Sequence, residues 1–391
     1  MKLILCLTTL VAAVMAESEL GKVLKAGNDQ FTAKMFQEVV KIEKGKSSVL
    51  SAFSVLTPLA QLALASVGES HDELLRVIGF PNDDTTKEVF TEVNNRLKNV
   101  KGVELKQANK LYIAENVALN DNFAAVSKSV FDSEFKNIKF SDSVAAANEI
   151  NAWVEDHTNK RIKNLVDENS ITPNTVAVLV NAIYFKGKWQ NKFDKDRTED
   201  RDFHVTKDKT VTVKMMNKLA DFKYGESQEL DAQLVELPYE GNDTSLVVIL
   251  PKKVDGIDDL IQKLSDYAAL NKALDNMYEQ EVDVSLPRFK IETTTNLKKV
   301  LENMNIKKLF TPGEAQLSNL LKSGDLYVSD AVQKAFIEVN EEGAEAAAAN
   351  TIVVGLTSAI ISATPTFNAD HPFVFLLMKK DTILFNGVYQ S

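Results

Sequence analysis

Residues 341–366 constrain this chain more than any other segment. They begin with Glu-Glu-Gly-Ala-Glu-Ala-Ala-Ala-Ala-Asn-Thr (Glu341–Thr351), directly after Phe336–Asn340, which reads as a strand. They end shortly before an apolar run that starts at Pro372. Connections of this length inside a compact fold are uncommon and are usually functional or disordered. This one is neither a flexible linker nor polar filler. Glu-Ala-Ala-Ala-Ala also suits a helix, since Ala and Glu rank high in helix propensity. Gly343 interrupts that pattern at its start, and Thr351, Ile352, Val353 and Val354 are β-branched and favour strand. Ala344, Ala346 and Ala348 fall at alternate positions, so in a strand they present only methyl groups to one face. The fold must hold a segment that stands out as a loop yet is built to enter a sheet.

The N-terminus reads as a secretory signal over residues 1–16. Lys2 is followed by the apolar run Leu3–Val14, and Val14-Met15-Ala16 suits cleavage before Glu17. The run is too short for a membrane span. The only cysteine, Cys6, lies within it, so a mature chain starting at Glu17 has no disulfide and depends on its core. A net charge of −10 argues against a nucleic-acid partner. Lys98, Lys101, Lys106 and Lys110 are interleaved with apolar and acidic residues and read as a solvated helix face. Asn242-Asp243-Thr244 is a glycosylation sequon beside Gly241 in an expected turn.

Apolar spacing of three and four predicts helices near 54–66, 71–79, 84–99, 143–163, 256–274 and 295–309. Thr175–Phe185 and Ser245–Leu250 are apolar runs of the buried-strand kind. Val282–Leu286 alternates like a half-exposed strand, and Pro372–Met378 with Thr382–Tyr389 forms a final hairpin. Helices early and strands later predict an α+β fold. No linker divides residues 17–391, which are expected to form one domain.

The sequence does not look like an enzyme. The four histidines, at 71, 157, 204 and 371, lack metal-ligand spacing. No nucleophile elbow, phosphate loop or dinucleotide fingerprint is present. His157 beside Asp156 reads as solvated, and His371 before Pro372 as structural. No cofactor or metal is expected.

Several stretches resemble the serpins, a family of serine protease inhibitors. They are Asn181-Ala-Ile-Tyr-Phe-Lys-Gly-Lys-Trp189, Leu286-Pro-Arg-Phe289, Lys334-Ala-Phe-Ile-Glu-Val-Asn-Glu-Glu-Gly-Ala-Glu-Ala-Ala-Ala-Ala349, Asp370-His-Pro-Phe-Val-Phe375 and Phe385-Asn-Gly-Val388. In this order they are similar to insect haemolymph members of the anti-elastase kind. The resemblance implies a fold of three β-sheets and eight or nine helices with an exposed reactive-centre loop, about residues 341–366. It implies covalent capture of chymotrypsin-fold serine proteases by a secreted monomer. The loop is cut, an acyl-enzyme forms, and the loop inserts into the largest sheet.

It also implies site roles. Glu341, Glu342, Gly343, Ala344, Glu345, Ala346, Ala347, Ala348 and Ala349 form the hinge. Ser51, Ser54, Asn181 and Gln333 form a polar cluster where the sheet opens, and Trp189, Arg288 and Glu341 guard its top, with a bidentate Arg288–Glu341 contact expected. Three positions depart from the family pattern. Gln333 stands where His is usual, Asn350 where Thr is frequent, and Ala52 where Pro is usual. Counting back from Phe367 places the residue before the reactive bond at 358–359, and counting forward from Gly343 places it at Thr357; Ala359–Ile360 is preferred, allowing a slightly long loop, with Thr357–Ser358 second. Leu356–Thr357 is third. No Lys or Arg occurs from 342 to 378, so trypsin-like targets are disfavoured and elastase-like targets preferred, with chymotrypsin-like enzymes second.

Overall fold

The computed structural model describes residues 2–97, 103–133, 135–322, 324–342 and 364–391. The hinge from Gly343 to Ala349, Asn350, and every candidate reactive-bond residue from Leu356 to Ile360 lie outside the described residues, as do Lys98 and Lys101.

Nine α-helices occur among the described residues: α1 (Lys2–Ile42), α2 (Ala52–Ala65), α3 (Gly68–Ile78), α4 (Asp83–Leu97), α5 (Asp121–Phe131), α6 (Ser143–His157), α7 (Ile257–Lys263), α8 (Ala268–Asp275) and α9 (Leu297–Asn303). The strands are β1 (Ser48–Leu50), β2 (Val103–Ala114), β3 (Phe135–Ile138), β4 (Ala177–Gly187), β5 (Glu199–Thr206), β6 (Lys209–Ser227) and β7 (Ala232–Pro238). They continue as β8 (Thr244–Pro251), β9 (Tyr278–Pro287), β10 (Phe289–Asn296), β11 (Asp330–Val339), β12 (Thr366–Asn368), β13 (Phe373–Lys379) and β14 (Thr382–Tyr389). The fold is α+β.

Three expected helices are shorter than their apolar spacing suggests. The 143–163 pattern stops at His157, because Asn159 and Lys160 both take positive φ and break the helical path. The 256–274 pattern splits into α7 and α8. Asp266 Oδ1 accepts from Ala268 N and starts a new helix rather than continuing the old one. The 295–309 pattern yields only α9, which ends before Asn305 at φ +69°. Helix α5 and the long strands β2 and β6 escaped the periodicity reading. Lys106 and Lys110 therefore sit on strand β2, not on a solvated helix. Lys110 is buried, with its Nζ 4.2 Å from the Trp153 ring centroid.

The five-stranded sheet has the order β10-β11-β4-β2-β3. The second network runs β1-β14-β13-β8-β7-β6-β9-β12, with β5 added on β6. The three sheets implied by the resemblance thus appear as two hydrogen-bonded networks. β6 is long enough to pair with β5 over Lys209–Met215, with β9 over Met215–Tyr224 and with β7 over Lys223–Ser227.

Strand β4 explains why its sequence is almost continuously apolar. Leu179, Ile183 and Phe185 join the main core, while Val178, Val180, Ala182 and Tyr184 face a second core built with Ile150 and Val154 of α6. Both faces are covered. Helix α2 is buried at every position, as an all-round apolar helix must be. His371 is a buried tether, with Nδ1 2.7 Å from Asp370 Oδ1 and Nε2 2.7 Å from the Pro251 carbonyl. His157 is exposed and stacks on Trp153 at 4.3 Å between centroids. Among the described residues no helix is long and apolar enough to cross a membrane.

Candidate functional site

The five-stranded sheet holds a parallel pair at its centre. β11 runs parallel to β4 from Asp330 opposite Val178 to Ile337 opposite Phe185, while β10 and β2 flank the pair antiparallel. Parallel pairing is slightly the weaker per residue. The 341–366 connection leaves from the C-terminal end of β11. A chain that turns back there runs antiparallel to β11, and therefore antiparallel to β4 as well. The two strands are hydrogen-bonded to each other along this stretch, so the seam between them is closed in this structure.

A polar row crosses that seam on an otherwise apolar face. Thr295, Gln333, Asn181 and Asn109 are register neighbours on β10, β11, β4 and β2. Leu179, Ile183, Ala331 and Ala335 beside them belong to the main core. Gln333 Nε2 donates to Asn181 Oδ1 at 2.6 Å, to the Ser51 carbonyl at 2.8 Å and to Ser54 Oγ at 3.2 Å. Gln333 Oε1 accepts from Ser51 N at 3.2 Å, and Ser54 Oγ donates to Asn181 Oδ1 at 2.9 Å. Ser51, Ser54, Asn181 and Gln333 are all fully buried. The cluster needs no titrating member, because an amide both donates and accepts.

Helix α2 supplies its half of the cluster for a local reason. Ser51 is its N-cap, and Ser51 Oγ accepts from Ser54 N at 3.1 Å. Pro58 lies one turn after Ser54 and has no N–H, so the Ser54 carbonyl loses its helical donor. Asn181 Nδ2 donates to that carbonyl instead, at 3.0 Å, and also to Asn109 Oδ1. A proline inside a buried helix thus creates the acceptor that binds α2 to the strand pair. Asn109 had no sequence signal, since only cross-strand register brings it to Asn181.

Replacing Gln333 by Leu should lower the stability of the intact protein by about 1–3 kcal/mol, the cost of leaving buried partners such as Ser51 N without an acceptor. Denaturant unfolding measures it. A change below roughly 0.5 kcal/mol, the range of a neutral surface substitution, would remove the cluster from the stabilising contacts.

The C-terminal end of β11 is held by a second group. Trp189 Nε1 donates to the Asn340 carbonyl at 2.7 Å, and Phe193 N donates to the Glu341 carbonyl at 3.1 Å. Trp189 stacks on Tyr239 at 4.3 Å and 11°. Gly187 makes room for this stack, since a Cβ there would lie 2.4 Å from the Tyr239 ring. Burial holds the Tyr239 hydroxyl well above its ordinary pKa. Glu341 is nearly buried, and its Oε1 lies 3.7 Å from Nη1 of half-exposed Arg288. This is a single-point ion pair, not the expected bidentate contact, because one guanidinium nitrogen alone reaches the carboxylate. Glu342 pairs with Lys195, and that hydrogen bond holds its carboxyl below the usual carboxylate range.

Asn242 lies apart from both groups. It is exposed at φ +57° in the turn between β7 and β8. No group of three or more His, Cys, Asp or Glu able to hold a metal occurs among the described residues.

The chain is similar to known proteins over nearly its whole length. The serpin family profile, described as serine protease inhibitor, matches residues 26–391. Alaserpin of Manduca sexta is 57% identical over 389 residues, covering 99% of each chain. Antitrypsin of Bombyx mori is 55% identical over 391 residues, covering 100% of each. The crystal structure of Serpin48, described as a highly specific serpin in the insect Tenebrio molitor, superposes with a TM-score of 0.86. It is 36% identical and covers 95% of this chain and 98% of its own.

Proposed function

The chain belongs to the serpin family of serine protease inhibitors, and from that premise we propose that it is a secreted suicide inhibitor acting by loop insertion. The supporting observation is the parallel β4–β11 pair with the connection leaving the end of β11. A protease serine attacks the carbonyl of the reactive bond. The amine half leaves, and the upstream half stays joined to the protease as an ester. The freed segment, which starts at Glu341, then turns back between β11 and β4. Ala344, Ala346 and Ala348 enter facing the core with only methyl groups, so little steric resistance opposes the first residues. Losing even one oxyanion-hole donor slows acyl chemistry by about 10²–10³, so a distorted protease is trapped before deacylation.

In this reading Ser51, Ser54, Asn181 and Gln333 control separation of the strands, and Trp189, Arg288 and Glu341 hold the point of entry. Ala359–Ile360 is the preferred reactive bond, with Thr357–Ser358 the alternative. A small residue at this position fits the shallow pocket of elastase-like enzymes. Likeness over the whole chain does not choose the target, since a relative named antitrypsin is 55% identical. The loop itself decides, and it carries no Lys or Arg. Residues 1–16 act as the cleaved signal, residues 17–391 form one domain, Asn242 carries the glycan, and the inhibitor works as a monomer without a cofactor.

Mixing the protein with pancreatic elastase, chymotrypsin and trypsin tests this reading. Elastase should give an SDS-stable complex near the summed mass and trypsin none. Mass spectrometry of the released C-terminal peptide then identifies the bond. A start at Ile360 supports the preferred choice, and Ser358 supports the alternative. Thr357 shifts the target toward chymotrypsin-like enzymes. Cleavage without any stable complex, by all three proteases, would overturn inhibition by insertion.

A further inference from the structure

The outer edge of β2 is open where it passes α2. β3 pairs with β2 only from Leu111 to Ala114, and among the described residues no strand pairs with residues 103–110 on that side. Ala114 N donates to the carbonyl of Val176, just before β4, so Ala114 turns its backbone groups toward β4. Backbone groups along a strand point to alternate sides, and the β2–β4 register runs from Val103 to Ile113 without a shift. Ala108 and Lys110 therefore bond to β4. The N–H and C=O of Gln107 and Asn109 point the other way, out of the sheet.

A cavity of about 390 Å³ lies against this edge, bordered by α2 on one face of the sheet and by α6 on the other. Asp132 and Ser133 close it toward β3. The two faces differ in chemistry. Gln107 lies on the α2 face, with Leu111 and Ile113 of the main core. Its amide nitrogen has no hydrogen-bond partner, and neither has that of Gln61 on α2, a residue only 4% exposed. Ala108 lies on the α6 face, with Tyr112 of the second core. There Trp153 and His157 line the cavity, their ring centroids 4.3 Å apart. Buried amide donors are nearly always satisfied, so the α2 face calls for an acceptor. An unpaired strand edge is a template for another strand. An extended chain meets both demands, since its backbone pairs with the edge and its side chains alternate between the two faces.

We propose that a short extended segment of a partner protein adds as a strand to the outer edge of β2. Its backbone pairs with the free N–H and C=O groups of Gln107 and Asn109. One side chain, bearing an amide or carboxylate oxygen, accepts from Gln61 and Gln107 on the α2 face. The residues before and after it point to the α6 face and are aromatic, packing against Trp153. Residues 107–110 span about 10 Å at roughly 3.4 Å per residue, so the site reads about three residues of the partner. Directly opposed residues share a face in an antiparallel pair, so the acceptor residue sits opposite Gln107 or Asn109.

Residue-resolved amide hydrogen exchange on the intact protein tests this, with the capped peptides acetyl-Tyr-Asn-Tyr-amide and acetyl-Tyr-Leu-Tyr-amide as probes. At ten times its Kd the Asn peptide should slow exchange at Gln107 and Asn109 about tenfold. Ala108 and Lys110, already bonded to β4, should change by less than about twofold. The Leu peptide lacks the acceptor and should bind about tenfold more weakly. Gln61→Leu should remove that difference between the two peptides. Gln107 is only half-buried, so Gln107→Leu gives the same comparison if Gln61→Leu does not fold. Gln107→Pro deletes an outward N–H without breaking the β4 ladder, and should weaken both peptides at least tenfold. No saturable protection of Gln107 and Asn109 at about 10 mM peptide overturns the site. Equal protection at Ala108 and Lys110, equal affinity for the two peptides, or unchanged binding in folded Gln107→Pro overturns it as well.

Discussion

Ala346→Arg or Ala348→Arg is expected to convert this protein from an inhibitor into a substrate. Under the proposed mechanism both positions would face inward as the segment enters between β11 and β4. An uncompensated buried cation costs several kcal/mol, and insertion must outrun deacylation to trap the protease. A barrier raised by about 3 kcal/mol slows insertion by roughly two orders of magnitude. Deacylation then wins. Elastase should still cut the loop at an ordinary rate, but the fraction of protease held in SDS-stable complex should fall from near-complete to a few per cent. Ala347→Arg, at the outward-facing position between them, should retain most of the complex. Undiminished complex with Arg at 346 and 348 would remove the insertion mechanism, whatever the target protease.

Cleavage within the loop should raise the melting temperature by on the order of 10–20 °C. Inserting a strand breaks the single β4–β11 ladder and creates two new antiparallel ones, for a net gain of about one ladder. Roughly a dozen residues at ~1 kcal/mol per net hydrogen bond give on the order of 10 kcal/mol before packing. Unfolding entropy of about 2.1 cal/mol/K per residue converts that gain into the stated range for a chain of 391 residues. Limited proteolysis by an enzyme outside the chymotrypsin fold, followed by calorimetry of the nicked protein, measures it. Equal melting temperatures before and after cleavage would mean that the strand pair does not open, and would leave a fold of this family that does not inhibit.

The Glu341–Arg288 ion pair bears on both results. At 3.7 Å and with Arg288 half-exposed, it contributes about 1 kcal/mol at most. The hydrogen bonds from Trp189 to the Asn340 carbonyl and from Phe193 to the Glu341 carbonyl are better placed to hold the end of β11. They were invisible in the sequence, because both acceptors are backbone atoms that any residue would provide.

Local order was legible wherever neighbours along the chain decide it. The apolar run of β4, the closing hairpin of β13 and β14, and the alternation in β9 follow from periodicity and turn chemistry alone. The run of alanines from 346 to 349 and the absence of Lys and Arg from 342 to 378 are plain in the sequence as composition. The sequence alone thus determined the α+β class. Three-dimensional pairing decided the rest. Nothing near Asn181 shows that Ser54, 127 residues earlier, offers it a carbonyl released by Pro58, or that Gln333, 152 residues later, donates to its side chain. Lys110 reads as solvated until β2 carries it beneath Trp153. β6 joins two expected sheets into one network only because its length lets it pair with β5, β7 and β9 together. Such contacts close long loops, and their energy depends on which strands end up adjacent, a quantity that propensity and spacing do not contain.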